Sequence, residues 1–299
     1  MSSAKMRLGY FADGPWSHRA LDKLLADATL EVVFICARFD NPDTVLREIA
    51  AARSIPFLVH ADINSDAFFA LIADKPCDLF VSMSFNQIFR RRTIDLPPAK
   101  TINCHAGKLP FYRGRNILNW ALINDEREFG ITVHYVDEGI DTGDIVLQEV
   151  FPITDADDYG TLLERAYVGC ADVLYRAIQA IQNNSSTRTP QRSIHPVGFY
   201  CSSRRTGDEV VNWNASSREI FNFVRAICRP GPQARTSNEG REVKINRIEL
   251  VPDSPRYVGI PGAVLQKENG ALLVKTLDSF VRVVDWSSEV PVKVGDRFK

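Results

Sequence analysis

Between Arg7 and Cys104 the chain repeats one pattern, a short apolar run of strand length followed by a stretch of helical spacing, and no other feature restricts the fold as much. The runs are RLGYF (7–11), LEVVFICA (30–37), IPFLVH (55–60), DLFVSM (78–83) and KTINC (100–104). Ser17 to Ala26, with Leu21, Leu24 and Leu25 on one face, reads as a helix, as does Pro42 to Ala52, which opens with a helix-favouring proline after Asn41. Strands alternating with helices pair in parallel with helices on both faces, and such sheets take ligands at the carboxyl ends of their strands. The expectation is therefore an α/β fold with a mostly parallel, twisted sheet.

After residue 128 the pattern changes. FGITVHYV and DIVLQEVFPI are joined only by DEGIDTG, too tight a link for a parallel crossover, so they should form an antiparallel hairpin. A long amphipathic helix is expected from Tyr159 to Gln182, with Leu162, Leu163, Ala166, Cys170, Val173, Leu174, Ala177, Ile178 and Ile181 on its packed side. NNSSTRTPQRS is polar, contains proline and lacks hydrophobic period, which reads as a connection between domains. Beyond it a helix over Ser216 to Ile227 precedes the runs VKINRIELV, GAVLQKE, ALLVKTL and FVRVVDW, set apart by turns such as Glu268-Asn269-Gly270, the spacing of a small β-barrel of OB-like type. The expected division is 1–184 catalytic domain, 185–200 linker and 201–299 smaller C-terminal β-rich domain.

Length and charge narrow the partners. With 299 residues, 36 basic against 37 acidic side chains and a formal net charge of -1, the chain has no general pull toward nucleic acid or anionic membrane. The six cysteines stand apart with no CxxC pair and no His/Cys cluster of ligand spacing, so no structural zinc or other metal is expected. A short polar start and the lack of a long apolar run indicate neither a secretory signal nor a membrane span; a reducing cytoplasm with free thiols is the expectation. The first strand-to-helix turn, FADGPWSH, has no GxGxxG, which argues against a nicotinamide-dependent dehydrogenase.

The segment TINCHAGKLPFYRG (101–114) ends a strand in a loop of Gly, Pro and polar residues, the place where a site belongs. Side chains alternate along a strand, so Asn103 and His105 face one cavity while Cys104 points into the packing. An amide and an imidazole together can donate to a developing oxyanion and take up the surplus proton of an attacking amine. Asp141, in the hairpin turn, could fold its carboxylate back to the imidazole, fixing the ring and favouring its protonated form. Singly, each of these residues is read as readily as a strand-end polar group or a turn former.

Taken in order, NxH, GKLPFYRG and GITVHYVDEGIDTGDIVLQ resemble the folate-dependent formyltransferases, a family that includes glycinamide ribonucleotide, methionyl-tRNA and amino-sugar enzymes. The resemblance covers about residues 5 to 180, and RTGDEVVNW with SREIFNFVRAICRPGPQA looks like the C-terminal domain of the tRNA and aminoarabinose enzymes. It implies a Rossmann-like formyltransferase domain, 10-formyltetrahydrofolate as the formyl donor and no metal. Asn103 and His105 would stabilise the tetrahedral intermediate while Asp141 assists proton transfer. Backbone groups of Gln87, Ile88 and Phe89 and of Asp137, Glu138, Gly139 and Ile140 would hold the pterin, core packing being the alternative for Ile88 and Phe89.

The acceptor is read from the same likeness. Methionyl-tRNA formyltransferases carry a basic insertion early in the catalytic domain and a basic linker, as a phosphate backbone demands. Here ICARFDNPDTVLREIAAARS is mixed in charge and the linker holds only Arg188 and Arg192. GKLPFYRGRNILNWAL looks more like the amino-sugar branch, so a dTDP- or UDP-linked 3- or 4-amino sugar is the expected acceptor, of the kind used in lipopolysaccharide O-antigen biosynthesis, with charged initiator tRNA as the alternative. Trp16, in the loop after the first strand, and Lys108, Tyr112, Arg113 and Arg115 could grip the nucleotide by stacking and ion pairing. The bland readings are that Trp16 caps a core and that Arg113 holds its own loop. Folate and a small-molecule acceptor are the expected partners, without membrane or nucleic acid, and a homodimer is left open.

Overall fold

A computed structural model of the chain describes residues 5–299. The elements run β1 (Met6–Ala12), α1 (Gly14–Ala26), β2 (Leu30–Ala37), α2 (Thr44–Ala52), β3 (Phe57–Val59), α3 (Asp66–Ile72), β4 (Leu79–Met83), α4 (Arg91–Ile94) and β5 (Thr101–His105). Then come β6 (Arg113–Gly114), α5 (Ile117–Ile123), β7 (Glu128–Tyr135), β8 (Ile145–Pro152), α6 (Tyr159–Gln182), α7 (Gln191–Ile194) and β9 (Tyr200–Cys201). The chain continues with α8 (Ser217–Ile227), β10 (Ala234–Asn238), β11 (Arg241–Leu250), β12 (Val264–Glu268), β13 (Ala271–Lys275) and β14 (Phe280–Ser288).

The seven-stranded sheet has the order β3-β2-β1-β4-β5-β7-β8. Strands β1 to β5 pair in parallel, and β7 then runs antiparallel to β5. Every residue of β4, LFVSM, is buried, as expected of a strand covered on both faces. Because β1 lies between β2 and β4, the winding of the sheet reverses there, and the carboxyl ends of β1, β4 and β5 open onto one edge. Phe11 anchors an aromatic core in this sheet, its ring 5.0 to 5.6 Å from those of Phe34, Phe80, Phe85 and Phe89.

Two helix starts differ from their expected positions. Helix α2 begins at Thr44 rather than Pro42, because Asp43 acts as the cap and its Oδ1 accepts from Leu46 N at 2.8 Å. Helix α1 begins at Gly14 with proline in its first turn, which places Trp16 on a helix and not in a loop. Helix α6 buries Leu162, Ala166, Cys170, Val173, Leu174, Ala177, Ile178 and Ile181 as its period requires, while Leu163 is only half-buried. Gly169 lets α6 come down on the sheet, since a Cβ there would stand 2.5 Å from Ile131 Cδ1.

Tertiary contacts group the chain into two units, and the grouping is not simply consecutive. Among the described residues, those up to 114 with 129–151 and 165–200 form the first, and residues 115–128, 152–164 and 201–299 the second. Helix α5 packs on α8, and polar bonds from α8 reach both short segments. Arg218 binds Asp125 Oδ1 from Nε at 3.0 Å and Asp155 Oδ2 from Nη1 at 2.7 Å, and Arg225 Nη1 donates to Thr154 O at 2.7 Å. Ser216 and Glu219 close a capping box at the start of α8. In the same unit five antiparallel strands take the order β10-β11-β14-β13-β12. Bridges from Phe298 to Asn238 and from Arg297 to Ala263 bring both edges of that sheet to one segment, giving the barrel-like closure expected from the strand spacing.

Candidate active site

Strand β5 carries the first two site residues, and the antiparallel pairing with β7 completes the setting. Asn103 lies opposite His134 and His105 opposite Thr132. The alternation read from the sequence holds: Cys104 turns the other way, where its Sγ donates to the carbonyl of Cys170 on α6 at 3.7 Å. Asn103 Nδ2 stands 3.3 Å from His134 Nε2, and the other nitrogen of that ring, Nδ1, donates to Tyr135 O at 2.8 Å. His134 thus belongs to the constellation, although the sequence reading did not single it out. Its only signal was a polar residue in the alternating run ITVHYV, two positions from Thr132.

The turn between β7 and β8 delivers Asp141. Asp137 Oδ1 accepts from Gly139 N at 3.1 Å and from Thr142 Oγ1 at 2.5 Å, which rolls the segment into a tight loop. Asp141 itself sits in the left-handed region at φ 53°. Gly143 allows the loop to close, because a Cβ there would be 1.8 Å from Tyr135 O. The carboxylate so placed faces both imidazoles. Oδ2 is 3.6 Å from His105 Nδ1, Oδ1 is 3.5 Å from His134 Nε2, and Gly114 N donates to Oδ2 at 2.9 Å. At 3.5 to 3.6 Å the imidazole contacts are longer than good hydrogen bonds and become charge contacts only when a ring carries a second proton.

The Asp141 side chain is only 12% exposed. Burial alone would raise its pKa, but the His105 ring, the His134 ring and the Gly114 N–H outweigh that effect and hold the carboxyl well below the usual carboxylate range. It is ionised wherever the fold exists near neutrality. The opposite nitrogen of His105 is anchored: Nε2 donates to Tyr112 O at 2.7 Å, which fixes the ring and leaves Nδ1 toward the carboxylate. Gly107 lies beneath this ring, and a Cβ there would come within 2.4 Å of both His105 Nε2 and Tyr112 O. His105 and Asp141 therefore meet directly, and Asn103 is joined to them through His134, all within one unit of the chain.

The remaining expected contacts fall out less uniformly. Gln87 spends its side chain on the scaffold, accepting from Ile63 N at 3.0 Å and donating to His60 O at 2.8 Å. Phe89 is buried in the aromatic core, whereas Ile88 is 65% exposed. Asp137, Glu138, Gly139 and Ile140 are all exposed on the site's turn. Asp137 and Glu138 also line a cavity of about 210 Å³ with Arg91, Lys100, Tyr135 and Arg188, below the usual volume of a small-molecule pocket. Trp16 packs edge-on to Tyr167, ring centroids 4.7 Å apart. Arg113 holds its own surroundings, with Nε and Nη2 on Gln191 Oε1 at 3.1 and 2.7 Å. Tyr112 is buried, Lys108 is half-buried and Arg115 is exposed. Among the described residues no group of three or more His, Cys, Asp or Glu side chains is placed to hold a metal ion, and no helix is long and apolar enough to cross a membrane.

Comparison with known proteins identifies the family. Residues 11–178 match the formyl transferase family, and residues 205–290 match the formyl transferase C-terminal domain. The methionyl-tRNA formyltransferase of Pelotomaculum thermopropionicum is 31% identical over 262 residues, covering 85% of this chain and 82% of that protein. Among solved structures, WlaRD, a sugar 3N-formyl transferase in the presence of dTDP and 5-N-formyl-THF, superposes with a TM-score of 0.70 at 21% identity over 97% of this chain and 100% of that one. HypX from Aquifex aeolicus gives a TM-score of 0.63 at 20% identity over 96% of this chain, which spans 46% of HypX. With a family match across more than half of its length, the chain belongs to the folate-dependent formyltransferases.

Proposed function

We propose that the chain moves a formyl group from 10-formyltetrahydrofolate to the amine of a nucleotide-linked amino sugar, a dTDP- or UDP-linked 3- or 4-amino sugar. The observation that carries the chemistry is the convergence of the Asn103 amide, the His105 imidazole and the ionised Asp141 carboxylate, the last two 3.6 Å apart. With Nε2 committed to Tyr112 O, Nδ1 of His105 is the ring nitrogen that takes the proton of the attacking amine. The charge that then develops on the ring is balanced by Asp141. A carboxylate held so far below its usual range is a weak base, so Asp141 serves as counter-charge and His105 carries the proton. The Asn103 amide, whose Nδ2 lies 3.3 Å from His134 Nε2, supplies an N–H to the oxyanion. As the tetrahedral carbon collapses, the bond from formyl carbon to N10 breaks and His105 returns the proton to that nitrogen. Backbone groups of Gln87 to Phe89 and of Asp137 to Ile140 hold the pterin. For Phe89 only the backbone is free to do so, since its ring is in the core.

The sugar acceptor is supported by where the cations go. In the stretch after β2, Arg38 pairs with Asp40 at 2.8 Å and Asp13 at 3.4 Å, and Arg47 stacks on Phe57. Arg188 lies 3.9 Å from the Tyr135 ring centroid. Cations engaged in this way offer little to a phosphate backbone, whose binding rests on many of them. The second reading, formylation of charged initiator tRNA, is favoured by the name of the relative at 31% identity. The deciding experiment gives purified protein and 10-formyltetrahydrofolate a panel of dTDP- and UDP-linked 3- and 4-amino sugars beside methionyl-tRNA, and follows a mass gain of about 28 Da, the formyl increment that an acceptor selected by the site acquires. Transfer to tRNA with none to any sugar overturns the sugar assignment.

A further inference from the structure

Three consecutive residues, Tyr112 and the two of β6, each hold a different part of the site. Tyr112 O fixes the His105 ring, Gly114 N holds Asp141 Oδ2, and between them Arg113 binds Gln191. Gln191 lies in the polar segment read from the sequence as a linker, yet it is 3% exposed. Its amide is fully used: Nε2 donates to Asp141 O and to Gly143 O, each at 2.8 Å, while Oε1 takes the Arg113 guanidinium. The segment that carries it is fixed to β8 by reciprocal backbone bonds between Thr189 and Ile145, both 2.9 Å. Asp141 occupies a left-handed conformation that a non-glycine residue keeps only when its surroundings impose it.

We propose that Gln191 is a positioning residue for the catalytic turn, its two N–H groups clamping the carbonyls on either side of Thr142 so that the Asp141 carboxylate points at His105. The inference rests on the catalytic role given above to Asp141. Without the clamp, the Asp141 backbone is free to leave its left-handed well, and the carboxylate swings away from both the imidazole and Gly114 N.

The test uses the full chain with Gln191→Met, which keeps length without hydrogen bonds, and Gln191→Glu, which keeps the acceptor for Arg113 and removes both donors. Misplacement by roughly 1 Å lowers rates by about a hundredfold, so both variants should lose 30-fold to 100-fold in kcat with the acceptor selected by the panel, at nearly unchanged KM for 10-formyltetrahydrofolate. A second readout needs no turnover. In glycine-labelled protein, the amide of Gly114 should exchange with solvent at least about tenfold faster in each variant than in the native chain, because its carboxylate acceptor has moved. A purely structural glutamine would lower Tm and leave kcat per folded molecule and the Gly114 amide as they were. If both variants keep kcat within about threefold and Gly114 protection intact while Asp141→Asn is inactive, the positioning role is wrong and the catalytic assignment stands. If Asp141→Asn is itself active, the catalytic assignment fails and takes the positioning role with it.

Discussion

Replacing Asp141 by asparagine keeps the shape of the turn and removes one charge. The carboxylate is 3.6 Å from His105 Nδ1 and the pair is 10% and 12% exposed, so water screens it only in part. At an effective dielectric of about 20, a full imidazolium at that distance gains roughly 4–5 kcal/mol from the carboxylate. With the proton about half transferred in the transition state the loss is nearer 2 kcal/mol, and the two limits correspond to about 30-fold and roughly a few thousandfold in rate. The expected loss is therefore on the order of a hundredfold in kcat for Asp141→Asn, with little change in KM for the folate. Initial rates of tetrahydrofolate release would measure it, with a thermal melt confirming the fold. A folded Asp141→Asn variant turning over within about threefold of the native chain refutes the counter-charge argument.

Further outcomes follow from the same geometry. Because the Asp141 carboxyl titrates below its unfolded value of 3.8, its contribution to stability is present above that pH and is lost as pH falls through the folded value, so acid melts below about pH 4 should be steeper for the native chain than for Asp141→Asn. Gly107→Ala puts a methyl group 2.4 Å from His105 Nε2 and Tyr112 O; it should destabilise by about 1–3 kcal/mol and abolish most activity, which melts and rates together would show. Burial pushes the thiols of Cys36 and Cys77 up to about 12 and that of Cys201 to about 11. A disulfide reagent at pH 8 should accordingly label these three far more slowly in the native protein than in denaturant, and rapid native labelling would contradict their placement.

The legible parts of this fold are those where one local rule decides. Strands β1, β2, β4 and β5 lie within about two residues of their apolar runs because a strand buried on both faces must be apolar throughout, and α6 follows its period along most of its length. The Asn103 and His105 side chains were readable from alternation alone. Asp141 needed the family pattern as well, since its neighbours DEGIDTG explain a turn equally well. His134 and Gln191 left almost no trace: one is a polar residue in a strand, and the other sits in a polar segment whose burial depends on Asp141 and Arg113. The grouping of residues 115–128 and 152–164 with the C-terminal unit goes with the packing of α5 on α8 and the bonds of Arg218, contacts across long stretches of chain that no local window can show. Strand β10, ARTSN, is too polar to announce itself.

The pairing of β5 with β7 has a consequence for how such a chain can change. Opposite Asn103 stands His134, and opposite His105 stands Thr132, so the chemistry is written into a single alignment of two neighbouring strands. Since side chains alternate, sliding one strand past the other by a residue would turn Val133 or Tyr135 toward the amide and send His134 into the packing on the far face. Lengthening the chain by one residue within β7 is therefore a more damaging event than many substitutions, whereas the same insertion in a loop outside the pair leaves the alignment intact.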